Sequence, residues 1–156
     1  MLIGNFLIAV VWASLIGPFT PVNLLIGFVL GYGVLRLCVG RADTPGYARR
    51  SAAVVSLAGF TVYELMVANV RVAWYTISSL KTLRPAVLRT PLEPDLTDTE
   101  ITLLSTLITL TPGTLTVDVA PDRSALFVHF MHVEDVDDAI ASIKTGFERR
   151  ILEVTR

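Results

Sequence analysis

Few residues in this chain have the types and spacing to do chemistry. Glu64 and Arg71 are the only Asp, Glu, Lys or Arg between Ser51 and Leu80, a stretch otherwise made of apolar and small polar residues. A charge inside a membrane is costly and is kept where it faces protein, water or a partner. Glu64, with Thr61 one turn before it, is therefore a candidate polar step on an ion path, and Arg71 a third member of that set. Arg71 lies two turns beyond Glu64, too far for a direct pair at three or four residues. A proton or sodium relay also wants a second acid, a His or a Lys close by, and none stands near Glu64 in the sequence. That lack favours the plainer reading, in which both charges anchor the segment to neighbouring protein or to the membrane interface.

The remaining candidates are weaker. His129 and His132 are three apart on or just beyond a predicted strand, so they point to opposite faces and chelate poorly. Glu134, Asp135, Asp137 and Asp138 lack the glycine and the distant bidentate Glu of a calcium loop, and suit the solvated start of a helix. No metal site is expected. Cys38 is the only cysteine, which excludes a disulfide framework. "TLTPGTLTVDV", from Thr109 to Val119, has one glycine and no lysine where a phosphate cradle needs several glycines and a Lys. Pro112 pre-sets the second position of a type II turn and Gly113 accepts the positive φ of the third. Pro112 and Gly113 are therefore read as a structural corner. With no thiol–His pair, nucleophile elbow or nucleotide fingerprint, the chain reads as a non-enzyme without a cofactor.

The elements that carry these residues divide by composition. The 156-residue chain is 53% hydrophobic and 17% charged, with mean hydropathy +0.62, too apolar for an ordinary soluble domain. Residues 1–35 contain no Asp, Glu, Lys or Arg; residues 1–90 carry a net +6 and residues 91–156 a net −7. A basic, apolar half followed by an acidic, mixed half predicts a membrane domain over 1–80, a basic linker with a candidate first strand over 81–96, and a water-exposed α/β domain over 97–156. The membrane half has two short apolar segments, about 2–16 and 22–39, and one long one, 51–80. The start lacks a basic n-region and a small-x-small site ahead of a soluble chain, and is read as a retained anchor. Gly27 and Gly31 form a G-x-x-x-G on the second segment, spaced to let two helix backbones approach. Asn23, after Pro21, is a candidate helix cap.

Topology is contradictory at this level. Arg36, Arg41, Arg49 and Arg50 precede the third segment, and Lys81, Arg84 and Arg89 follow it. Both clusters belong in the cytoplasm by the positive-inside rule, which a single crossing forbids. The third segment is long enough to span with tilt, yet Thr61, Glu64, Ala68, Arg71, Tyr75 and Ser78 make a polar stripe that also suits a helix lying along the interface.

The acidic half predicts the order β-α-β-β-α, a ferredoxin-like half without a final strand. The strands are expected at 85–90, 115–119 and 125–131. Thr97-Asp98-Thr99-Glu100 is a capping box, and Asp135 can cap a last helix in which Val136, Ile140, Ile143, Phe147 and Ile151 recur at helical spacing. An exposed sheet edge would suit docking. Because the basic residues hug the membrane and the soluble part is acidic, nucleic acid is not an expected partner.

In one order the chain carries "NFLIAVVWASLIGPFTPVNLLIGFVLGYGVLRL", "YELMVANVRVAWYTI", "LKTLRPAVL", "TLITLTPGTLTVDV" and "LFVHFMHV". This resembles the E subunit of the Mrp-type (Mnh or Pha) multisubunit sodium/proton antiporters of bacteria, over nearly the whole length. The resemblance implies an accessory, mainly structural subunit of a large inner-membrane complex, multi-pass, with its α/β tail in the cytoplasm. Its partners would be the other subunits and the lipid bilayer. Two alternatives stand beside it: direct contribution to the sodium path through Glu64, Thr61 and Arg71, and an independent membrane-anchored adaptor.

Overall fold

The structure, a computed structural model, describes residues 2–38, 45–78 and 83–156. Arg41 and Lys81, members of the two basic clusters, lie outside the described residues. The chain divides into two compact units, residues 1–51 and 52–156.

The first unit contains α1 (Leu2–Ile16) and α2 (Pro21–Cys38). Glycine and proline at 17 and 18 end α1. The cap of α2 is Thr20 and not Asn23, as the sequence pattern suggested. The Thr20 hydroxyl accepts the Asn23 N–H at 3.2 Å and its carbonyl accepts the Leu24 N–H at 3.1 Å. Pro21 therefore takes the first helical position, where its missing donor costs nothing, and the Asn23 amide bonds back to the Pro18 carbonyl instead. The helices run antiparallel, with Gly27 over Ala9 and Trp12, and Gly31 over Asn5 and Ile8. Asn5, Ala9 and Ala13 are buried between them, while Phe6, Leu15, Leu25 and Val29 face outward.

A long helix, α3 (Pro45–Ile77), begins in the first unit and runs into the second. It is followed by β1 (Ala86–Pro91), α4 (Asp98–Leu110), β2 (Thr114–Val119) and β3 (Ala125–Phe130). The chain ends in one helical run made of α5 (Val136–Ile143), a π-helical turn (Lys144–Glu148) and α6 (Arg149–Thr155). The sheet order is β1-β3-β2, with β3 antiparallel to both neighbours. A bulge between Thr116 and Asp118 shifts the β2–β3 register. Both β1 and β2 are edges, but the β2 edge is partly closed, because the Thr116 N–H donates to Thr109 Oγ1 on α4 at 3.2 Å.

Alternation along β3 puts Leu126, Val128 and Phe130 on one face, against Leu104 and Ile108 of α4 and Ile143, Phe147 and Ile151 of the last run. The reciprocal capping box forms as its residue types require: Glu100 N–H to Thr97 Oγ1, and Thr97 N–H to Glu100 Oε2. Asp135 Oδ1 accepts the N–H groups of Asp137 and Asp138 at 2.8 and 3.0 Å.

Candidate functional site

The residues singled out in the sequence fall in two places. Gly27 and Gly31 lie in the first unit. A Cβ on Gly27 would stand 2.9 Å from the Ala9 Cα and carbonyl oxygen, and one on Gly31 would overlap Asn5 Oδ1 and come within 2.9 Å of Ile8 Cγ2. At Gly27 the crowding atoms include the Ala9 backbone, so only glycine admits the approach, whereas at Gly31 they belong to the Asn5 and Ile8 side chains.

Thr61, Glu64, Arg71, Pro112 and Gly113 belong to the second unit, where one face of α3 lies along the α/β layers. Leu57 and Phe60 pack against the core cluster. The Phe60 ring meets Phe147 edge-on with centroids 5.2 Å apart, and the Arg150 guanidinium sits 3.9 Å above its centroid. The π turn makes this contact possible. It presents Gly146, where a Cβ would come within 3.0 Å of Phe60 Cζ, and it frees carbonyls that Arg150 Nη1 satisfies at Gly146 (2.8 Å) and Thr145 (3.2 Å). Farther along α3, Val72 meets the Thr-Pro-Gly-Thr corner, 3.5 Å from where a Gly113 Cβ would stand. Tyr75 lies 5.2 Å from the His132 ring.

The corner is a closed turn. Thr114 N–H donates to the Thr111 carbonyl at 3.2 Å, and Gly113 adopts φ +93°, the third-position geometry of a type II turn. The hydroxyl of Thr114 donates within reach of the Ile108 and Thr111 carbonyls, at 2.7 and 3.0 Å, beside the backbone N–H groups that each already accepts.

Between these anchor points, α3 and the α/β layers enclose a groove of about 470 Å³ with Glu64, Arg71, His132, Glu134 and Asp138 on its walls and Pro112 and Gly113 at its edge. Glu64 and Arg71 form no ion pair among the described residues, and they flank the groove without meeting each other. Thr61 is buried, but its hydroxyl bonds the Leu57 carbonyl of its own helix at 2.8 Å and points no donor at a route. His132 is tied locally: Nδ1 accepts the Arg84 N–H at 3.1 Å and Nε2 lies 3.5 Å from Glu134 Oε1. Among the described residues no three His, Cys, Asp or Glu side chains converge as metal ligands.

Two buried carboxylates, neither of them a sequence candidate, lie in the α/β layers. Glu100 Oε1 accepts the Thr155 hydroxyl at 2.5 Å, joining the first turn of α4 to the end of α6. This bond and the Thr97 N–H hold its carboxyl below the ordinary value of 4.5. Glu148 is 1% exposed. Its burial pushes the carboxyl up from 4.5, against the opposing pull of the Glu93 N–H at 2.6 Å and of Lys144 Nζ at 3.9 Å. The capping-box pattern pointed to Glu100. Nothing local distinguishes Glu148, which sits between Phe147 and Arg149 in a helical run.

The family model described as Na+/H+ ion antiporter subunit matches residues 5–154. The E-type Na(+)/H(+) antiporter subunit of Alkalihalophilus pseudofirmus is 35% identical over 152 residues, covering 97% of this chain and 96% of that protein. Its counterpart of the same type from Bacillus subtilis is likewise 35% identical over 153 residues, with the same coverage of both. The chain belongs to the E-subunit family of Mrp-type sodium/proton antiporters. A chain in the structure of the Mrp complex from a Dietzia species superimposes with a TM-score of 0.50 at 30% identity, covering 61% of this chain and 88% of that one. A chain of the membrane-bound sulfane sulfur reductase, an archaeal respiratory membrane complex, has the same fold over 96% of this chain and 95% of its own. Its TM-score is 0.56 at 24% identity. Membership of the E-subunit family makes this a membrane protein whose partners are the other subunits of such a complex.

Proposed function

We propose that this E-family protein is an accessory, mainly structural part of a monovalent-cation/proton antiporter, with its α/β domain in the cytoplasm, built as a ferredoxin-like half that docks onto other subunits. The observation that carries the proposal is the orientation of α3. The polar residues that an ion route would need turn toward the chain's own α/β layers, and Thr61 spends its hydroxyl within the helix. The apolar side of α3 is the free one. A scaffold holds its charges in this way, whereas a conduit lines them along a continuous path.

Glu64→Gln tests the role. It keeps the shape and most of the hydrogen-bonding capacity and removes only the charge of this half-buried side chain. Assembly, sodium-dependent dissipation of a pH gradient in vesicles, and pH optimum should all stay near those of the parent complex. Loss of exchange with full assembly would transfer Glu64 to the ion path, since proton transfer needs a group that both holds and releases the proton. The absence of a paired cation at Glu64 among the described residues is the observation that keeps this second reading open to test.

A further inference from the structure

The stretch from Arg49 to Ile77 has the length and apolarity of a membrane-crossing helix, with a mean hydropathy of 1.6. Its packing says otherwise. Leu57, Phe60, Glu64, Ala68, Val72 and Tyr75, spaced by three and four residues, turn toward the α/β layers. From Leu57 to Tyr75 this face, packed at its two ends and bordering the groove between them, extends about 27 Å, nearly the roughly 30 Å thickness of a hydrocarbon core. If α3 crossed the bilayer, the layers fixed along it would enter the hydrocarbon with it. Glu134 and Asp138 line the groove beside Glu64 and would be carried in as charges. So would a three-stranded sheet with two edges, whose unpaired backbone groups have no partner in lipid.

The opposite side of α3 is the one built for lipid. Val55, Val62, Met66, Val70 and Ile77 recur on one stripe and are all more than half exposed. Tyr63 and Trp74, three turns apart on one border of that stripe, are exposed too, as aromatic residues are at the membrane–water boundary. Arg49 and Arg50 stand near the start of the helix, and Arg84 follows its end, where anionic headgroups would meet them.

We infer that α3 lies in the plane of the membrane, its Val55–Ile77 stripe seated in the lipid interface and its other face carrying the α/β domain as a saddle. Both basic clusters then sit at the same surface, which removes the contradiction with the positive-inside rule. The inference concerns topology alone and holds whether or not Glu64 takes part in transport.

The test is depth measurement on the assembled complex, with Cys38→Ser as background and single spin labels at Val55→Cys, Val62→Cys, Met66→Cys, Val70→Cys and Ile77→Cys. Ala68→Cys on the covered face is the control. Relaxation by oxygen, which enters lipid, is compared with relaxation by a water-soluble nickel chelate. The expected result is one shallow depth, about 5–10 Å, at all five stripe positions, with neither reagent reaching Ala68→Cys. A depth that rises to about 15 Å near Met66 and falls toward both ends would make α3 a spanning helix and overturn the inference. Exclusion of both reagents along the stripe would show another subunit covering it, and dominant nickel accessibility would place it in water. Either outcome would also overturn it.

Discussion

In the N-terminal pair of helices the least exposed side chains are Asn5, Ala9 and Ala13, while in the α/β layers the largest fully buried ones are Leu104, Ile108, Leu126 and Ile151. The large apolar residues of α1 and α2, such as Leu15 and Leu25, stand outside. The difference is what the proposed placement, helices in lipid and α/β layers in water, would produce. Water drives large apolar groups together, so the α/β unit is held by burying them. Lipid gives no such drive, and helices associate there by close backbone contact, small residues and interhelical polar groups. On the proposed membrane placement one 156-residue chain uses two opposite packing rules, and α3 would turn one face to each solvent.

The largest effect should come from reversing the size rule in the α/β layers. Leu126→Ala removes a fully buried side chain from the central strand and should cost about 2–5 kcal/mol. Hydrogen-exchange protection of β3 in the full-length chain would report it. Leu25→Ala, the same change at a residue 64% exposed on α2, should leave the protection of both units nearly unchanged. Equal damage from the two would mean that α1 and α2 do not present their large residues to lipid.

Overfilling a small-residue contact comes next. Gly27→Val drives side-chain atoms into the Ala9 backbone, which cannot swing aside as a side chain would, and should cost about 1–3 kcal/mol of α1–α2 packing. Gly113→Val strains the φ +93° corner and crowds Val72, with a penalty of about 1–3 kcal/mol in the α/β unit. Native gel analysis of the assembled complex separates these from transport defects. Both variants should lower the amount of complex without changing the ion preference of what remains. Normal assembly with altered sodium affinity in Gly113→Val would remove the corner from the structural class.

The smallest expected effects are pH slopes of opposite sign. Glu100 is held below 4.5, so its contribution to stability is present above that pH and is lost as pH falls through the lowered folded value. Glu148 is held above 4.5. Its contribution is present below that pH and is lost as pH rises through the raised folded value. Accordingly Glu100→Gln should destabilise the α/β unit at neutral pH and flatten the acid limb of its stability curve. Glu148→Gln should keep or raise stability at neutral pH, because it removes a charge that burial disfavours. Thermal melts of the two variants at about pH 3 and about pH 7.5, below and above the ordinary carboxylate range, test the signs. A matching loss at neutral pH in both would contradict them.

Much of this protein is set by residues close together in the sequence. The Pro112–Gly113 turn, the Thr97–Glu100 capping box, the Asp135 cap and the division into an apolar basic half and an acidic mixed half all rest on local backbone preference or composition. Local reading failed where two neighbours compete for one role, as at Thr20 and Asn23, because Pro21 decides which residue stands just outside the helix. Other features needed the tertiary structure. Whether Glu64 and Arg71 face lipid, water or protein depends on Phe60 meeting Phe147, Gly146 and Arg150, which are far along the chain. The same holds for Glu148, which becomes a buried carboxylate because a π turn and Glu93, two residues past the end of β1, close around it. Periodicity shows that a helix has two faces. Which of them is covered is a property of the surface that arrives to cover it, and that surface is assembled only when distant segments pack.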